Sequence, residues 1–319
     1  MPKAILLAGL LIILIVLASS RVLPAMTMNG FDLDNTLIPA DLIKRGGLPR
    51  DGIPSIDEPE FISAGKAAYL NPDDRILGIH YRGMARAYPV RIMDWHEIVN
   101  DEFDGVVIVV TYCPLCGTGM AFRTEAPVQQ FGVSGLLYNS DVLLYDRETE
   151  SLWSQIMGQA VSGPQLGKKL DQIILSHTTW QDWLQRYPHT KVLSTDTGYK
   201  RNYNQSPYLG YADSSKLWFP VAVTDDRYHA KEWILGVSVN GVYKAYPFAE
   251  LRRTKGVVHD KLDGVEIEVR FDAENNTTQV LNASGKEIPA IMAYWFAWVT
   301  FHPDTRVYKP AFSGRFSSD

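Results

Sequence analysis

The feature that most constrains this chain is that it repeats itself. From Ile76 it reads ILGIHYRGMARAYPV, and from Ile234 it reads ILGVSVNGVYKAYPF. Ile, Leu, Gly, Ala, Tyr and Pro recur in place. Further on, HEIVNDEFDGVVIVVTY (His96–Tyr112) matches KGVVHDKLDGVEIEVRF (Lys255–Phe271), and WQDWLQRYPHTKVL (Trp180–Leu193) matches WFAWVTFHPDTRVY (Trp295–Tyr308). Three matches in the same order argue against chance and point to two copies of one unit.

Each copy opens with a hairpin. Asn240-Gly241 is a strong type I′ turn signal between two apolar strands, and Arg82-Gly83 is its weaker equivalent. A short helical stretch, DWHEIVN, leads through Asp-Gly into a buried strand, VVIVVTY. The first copy then adds FGVSGLLY, DVLLYDR and SLWSQ, which read as strands between turns and have little counterpart in the second. TTWQDWLQRY reads as a helix with a Thr cap, ending at Pro188. The expected fold is therefore α+β and strand-dominated: two related units with short packing helices, after an N-terminal signal or anchor helix. The expected boundaries are 1–25 for the signal peptide or anchor and 26–52 for a spacer. Repeat unit 1 covers 53–194, a Tyr-rich connector 195–218, repeat unit 2 219–308 and a tail 309–319.

The signal segment follows from Lys3 and the unbroken apolar run Ala4–Ala18, closed by Ser19-Ser20-Arg21. A positive start, an apolar core and small residues describe a secretion signal, and the run is also near the lower limit of about 17 residues for a membrane span. Either way the remainder is expected outside the cytoplasm, in the periplasm or cell envelope, tethered to the membrane if the segment is kept. The net charge of −5, with no Lys/Arg block, disfavours nucleic-acid binding.

The chain's two cysteines are Cys113 and Cys116, in TYCPLCGTG. A chain this long does not need a two-residue staple, so a purely structural disulfide is a weak reason for the pair. The second copy has Asp272 and Asn275 in their places, which suggests a polar or exposed turn in both copies. Gly117 and Gly119 are poor helix residues, so the helix start of a thioredoxin-type site does not fit well. C-P-L-C-G instead resembles the metal-binding turn of rubredoxins and zinc ribbons. Two thiols are half of a tetrahedral site. His96 is the preferred third ligand, because the second copy loses it together with the thiols; His177 and His80 are further candidates. Zn, Cu and Fe all suit thiolate with imidazole.

Together, HEIVND, TYCPLCGTGMAF, FGVSGLLYNSDVLLYDRETESLWSQ and TTWQDW resemble the bacterial and archaeal domain of unknown function numbered 3179, over about 75–310. The resemblance implies an extracytoplasmic protein, often with a membrane or lipid anchor, and supplies no activity. Its motif positions fall here on His96, Asn100, Asp101, Cys113, Cys116, Ser134, Asn139, Ser140, Asp141, Asp146, Arg147, Ser154 and Gln155. The inserted hairpin is expected to wall a pocket over the CPLC turn, with Tyr138, Asn139 and Trp153 lining it. Ser140, Asp141, Asp146, Arg147, Ser154 and Gln155 are further pocket candidates.

Three functions remain open at this point. The first is a membrane-tethered protein with a transition-metal site at Cys113, Cys116 and His96. The second is thiol–disulfide exchange, with Cys113 attacking and Cys116 resolving. The third is a non-catalytic scaffold carrying a static disulfide. A redox or metal-delivery protein would be the partner of the first two. Whether the chain is an enzyme stays undecided, as does its oligomeric state. No G-x-S-x-G, H-E-x-x-H or phosphate-binding glycine motif supports a hydrolase or nucleotide enzyme.

Overall fold

The computed structural model describes residues 26–310. Strands take 41% of the described residues and helices 11%, and the five larger sheets are arranged as a five-bladed β-propeller. This overturns the expectation of an α+β pair of repeat units with packing helices. The matched sequences mark strands within separate sheets, which the propeller arrangement combines with an inserted one. The expected signal or anchor helix lies outside the described residues. Among the described residues, no helix is long and apolar enough to cross a membrane.

The sheet that carries the thiols is ordered Asp171–Ile173, Thr118–Arg123, Val106–Cys113, Ile98–Phe103. Its central strand is buried along nearly its whole length, which explains why VVIVVTY is continuously apolar rather than alternating. A three-stranded sheet, Val257–Leu262, Val265–Asp272 and Thr277–Asn282, has the same hairpin register without cysteines. The inserted segment forms its own sheet, from Phe131–Tyr138, Asp141–Asp146, Leu152–Ser154 and Gln159–Ser162. Its fifth strand is Ile43–Arg45, from the segment read as a spacer. Phe31, Leu33, Ile38 and Ile43 of that segment are buried against the inserted sheet, so it is part of the core there.

The two remaining blades hold the opening hairpins, Arg75–Tyr81 with Met84–Pro89 and Trp233–Val239 with Val242–Pro247. Arg82-Gly83 and Asn240-Gly241 both have two consecutive positive φ angles, the geometry of a type I′ turn. Gly78 and Gly236 have a packing reason: a Cβ there would come within 2.4 Å of Trp183 and 2.2 Å of Trp298. Each indole then donates to a threonine, Trp183 to Thr190 at 2.9 Å and Trp298 to Thr305 at 2.8 Å.

The helices are brief. Trp180–Arg186 is capped by Thr179, whose hydroxyl accepts from the Asp182 amide at 3.2 Å. Val90–His96 ends at Glu97, which takes the left-handed conformation with φ +57. That reversal turns the chain directly into the strand Ile98–Phe103, which lies beside the thiol strand.

Candidate metal centre

The thiols sit at the mouth of a tight hairpin in which Cys113 pairs with Thr118. The amide of Cys116 donates to the Cys113 carbonyl at 3.2 Å, and Gly117 closes the turn with φ +63. A side chain at Gly117 would also strike Trp233, 2.6 Å from the added carbon, so both conformation and space require glycine. The Tyr294 amide donates to the Cys116 carbonyl at 2.8 Å and fixes the turn against a neighbouring blade.

The turn is not exposed, contrary to the expectation drawn from Asp272 and Asn275. Cys113 is 1% exposed and Cys116 0%, and neither is in a disulfide. Lying against them is the inserted hairpin. Asn139 and Ser140 form its turn with φ +53 and +64, and Tyr138 pairs with Asp141 across it. The Ser140 carbonyl accepts from both thiols, with sulfur–oxygen distances of 3.8 Å for Cys113 and 3.4 Å for Cys116.

Asp141 completes the group. One ligand atom each from Cys113, Cys116 and Asp141 lies within 4.8 Å of the others, all three residues being buried. Tetrahedral bonds of about 2.0–2.3 Å place ligand atoms roughly 3.3–3.8 Å apart, so a modest contraction would seat an ion. Asp141 Oδ2 accepts from the Ile156 amide at 3.1 Å, while Oδ1 is buried with no partner among the described residues. Burial pushes the Asp141 carboxyl up to about 7, with the Ile156 amide pulling the other way. Burial also raises both thiols, Cys116 most, because Cys113 lies beside it. The two thiols therefore hold protons that a cation would displace, and Asp141 is divided between its protonated and ionised forms near neutral pH.

A further buried polar side chain beside the thiols comes from the segment expected to be a connector. Tyr211 belongs to the same buried cluster as the cysteines, and its hydroxyl has no hydrogen-bond partner among the described residues. Burial and the neighbouring Cys116 and Cys113 raise its pKa. Lys231 holds this segment in place: it is 5% exposed and its ammonium donates to the carbonyls of Tyr211 (2.6 Å) and Lys216 (2.9 Å) and to that of Ser214.

The expected third ligand is elsewhere. His96 Nδ1 is 2.8 Å from the Pro54 carbonyl and Nε2 2.7 Å from the Tyr203 hydroxyl, so both nitrogens are engaged outside the thiol group. Burial holds its pKa down to about 4. His177 lies between the rings of Tyr112 and Trp233 with Nδ1 unpartnered, and His80 is exposed, stacked on Tyr187. Neither histidine joins the group.

Of the pocket candidates, the turn residues reach the centre and most others lock the insert. Asn139 accepts from the Ala222 amide at 2.8 Å, and the Ser140 hydroxyl donates to the Phe219 carbonyl at 2.8 Å. Gln155 ties the insert to the thiol hairpin, donating to Thr111 at 2.8 Å and to the Thr118 carbonyl at 3.1 Å. Asp146 accepts from Thr149 and from the Trp153 indole at 2.8 Å. Arg147 pairs with Asp51 and Asp57, both at 3.3 Å. The Ser154 hydroxyl accepts from Met157, and Tyr138 packs edge-on to Phe301. Asn100 and Asp101 are structural as well. Asn100 bonds Phe131 in both directions, and Asp101 accepts from Arg86 and the Tyr88 hydroxyl.

Residues 50–305 match the model of a family described as "Protein of unknown function (DUF3179)". The chain belongs to this family. No curated protein and no solved structure matches it. The family match includes the thiol hairpin, the insert and the segment that supplies Tyr211.

Proposed function

We propose that this chain is an extracytoplasmic, membrane-tethered member of the DUF3179 family that holds one transition-metal ion through Cys113, Cys116 and Asp141. The observation that carries the reading is the convergence of two thiols and a carboxylate in one buried group, with an unpartnered carboxylate oxygen among them. An unpaired polar atom in such a place is costly unless something binds it. The donor set of two sulfurs and one oxygen suits Zn, and also Fe or Cu. We assign the fourth contact to Tyr211, directly or by donating to a bound water, because it belongs to the same buried cluster with its hydroxyl unpartnered among the described residues. The apolar run Ala4–Ala18 after Lys3 supports export and tethering.

The test is metal analysis of the full chain as purified from its own envelope, followed by cobalt substitution. About one equivalent of metal per chain is expected, with a thiolate-to-cobalt absorption band that Cys116→Ser removes. A metal-free protein that takes up no cobalt after mild reduction would sink the reading.

One observation favours a second reading, thiol–disulfide exchange. Asp141, with its carboxyl raised to about 7 and grouped with both thiols, is suited in its ionised form to accept a thiol proton. A partner disulfide would take up the two electrons as the Cys113–Cys116 bond forms and both thiol protons leave. Complete burial of both sulfurs counts against it, since exchange needs in-line access to sulfur. A reduction potential below about −300 mV for the pair would exclude it.

A further inference from the structure

A second site lies one residue away from the thiols and is built from different atoms. The left-handed turn at Glu97 places its side chain on a cavity of about 240 Å³. Leu115, between the two cysteines, and Val142, next to Asp141, form part of the wall, with Ile53, Leu137 and Phe219. Leu48 and Trp218 also line it, and they are respectively 48% and 50% exposed, two of the few large apolar side chains left at the surface.

Glu97 is 7% exposed. One carboxylate oxygen accepts from the Tyr208 hydroxyl at 3.0 Å. Among the described residues its other oxygen receives no hydrogen bond, and no Lys, Arg or His pairs with it. A buried carboxyl without a cationic partner is costly, and an apolar space of this size gives water few partners. The cavity is smaller than the ~300–1,000 Å³ of drug-sized sites, which limits the occupant to a small molecule.

We infer that this cavity binds a small apolar molecule with one hydrogen-bond-donating head, the head meeting Glu97 and Tyr208 and the body lying against Leu137, Val142 and Phe219. Entry is between Leu48 and Trp218. A hydroxyl or an ammonium has the required chemistry: either donates to the free oxygen of Glu97, and an ammonium also supplies the charge the chain does not. The inference does not rest on the thiols holding metal, since none of its contacts uses a sulfur or Asp141.

Calorimetric titration of the full chain with benzyl alcohol, benzylamine and toluene tests it. Benzyl alcohol or benzylamine should bind about tenfold more tightly than toluene, the worth of one hydrogen bond to a buried acceptor. Glu97→Met, of similar length and apolar, should abolish that preference while leaving metal content unchanged. Val142→Phe should fill the space and remove binding of all three probes. Affinity for toluene equal to that for both benzyl alcohol and benzylamine in the native chain, or no binding of any probe at millimolar concentration, overturns the inference. The native-chain comparison decides the matter even if either variant fails to fold.

Discussion

Two hairpins of this protein share a backbone and differ in nearly everything that surrounds it. In one, Val106–Cys113 turns through Pro114–Gly117 into Thr118–Arg123; in the other, Val265–Asp272 turns through Ala273–Asn276 into Thr277–Asn282. Cys113 opposes Thr118 as Asp272 opposes Thr277, and the last turn residue has positive φ in both, +63 at Gly117 and +46 at Asn276. Each turn docks on an opening-hairpin sheet. Cys116 meets Tyr294, while Asn275 takes hydrogen bonds from Arg75 and Thr179. The polar turn satisfies itself: Asp272 accepts from Glu274 at 2.8 Å and from the Asn275 side chain at 2.7 Å. The thiol turn is covered by the insert and by Tyr211, and leaves Asp141 Oδ1 unpaired. The turn itself is thus only a scaffold. Chemistry comes from what is laid over it.

The largest effect that follows concerns the covering residue. Asp141→Ala should weaken zinc binding by well over the ~10–100-fold typical of an outer hydrogen-bond partner, as read by competition with a chromogenic chelator. His96→Gln should change it less than threefold, because its nitrogens are engaged by Pro54 and Tyr203. The opposite ranking would restore His96 as the ligand.

Next comes the turn position the two hairpins share. Gly117→Ala places a Cβ 2.6 Å from Trp233 in a left-handed conformation, and should cost about 2–4 kcal/mol in urea unfolding. Asn276→Gly, at the matching position, should change stability by only ~1 kcal/mol or less. Similar costs at the two sites would mean that Gly117 is not pinned by its neighbour.

How much of this was legible depends on the distance over which each feature is decided. Burial of the two hairpins was written locally: VVIVVTY is apolar on both faces and VEIEVRF alternates, matching a strand covered on both sides and one with a solvent face. The type I′ turns and the Thr179 cap were readable for the same reason. Polarity of Asp272 and Asn275 misled about exposure of the thiol turn, because the cover comes from an insert that the second hairpin lacks. Asp141 was visible as a turn residue, but its approach to the sulfurs depends on how separate sheets pack. Tyr211 and Glu97 carried weaker signals still. One lies in a stretch without periodicity, and the other at a helix end whose left-handed geometry Gly or Asn would have advertised. The propeller itself was hidden because the repeat suggested two bodies where the chain closes five sheets together.

The two aspartates should also separate by pH. In the metal-free chain Asp141 ionises near 7 when folded and near ~3.9 when unfolded, so between these values the folded state keeps a proton that the unfolded chain has released. The contribution of Asp141 to stability should therefore fall as pH rises from about 4 to about 7 and level off above, within a profile to which Glu97, Asp94, His96 and His302 also contribute. Asp141→Asn should flatten that decline, and bound metal should reverse it by taking the proton's place. At Asp272 the upward pull of burial is outweighed by hydrogen bonds from Asn275 and Glu274, which leaves its pKa below the ordinary value. Its contribution is present above that range and lost in acid, so Asp272→Asn should leave the pH 4–7 decline in place. Urea midpoints across this range, with and without chelator, read all three curves.

The smallest expected effect is the most direct test of what the comparison teaches. A double substitution, Asp272→Cys with Asn275→Cys, gives the second hairpin both thiols in the same register and with the same turn handedness. If the CxxC turn were sufficient, this chain would take up a second equivalent of cobalt. Among the described residues the second turn has no counterpart of Asp141 or Tyr211 over it, and Asp272 and Asn275 are not fully buried as Cys113 and Cys116 are. Two thiols in water with no third protein donor form an open and weak site. The expected result is one equivalent per chain, as in the parent, with the new cysteines freely alkylated while Cys113 and Cys116 stay protected. A second tightly held ion would show that the turn alone makes the site and that the inserted blade is only its cover.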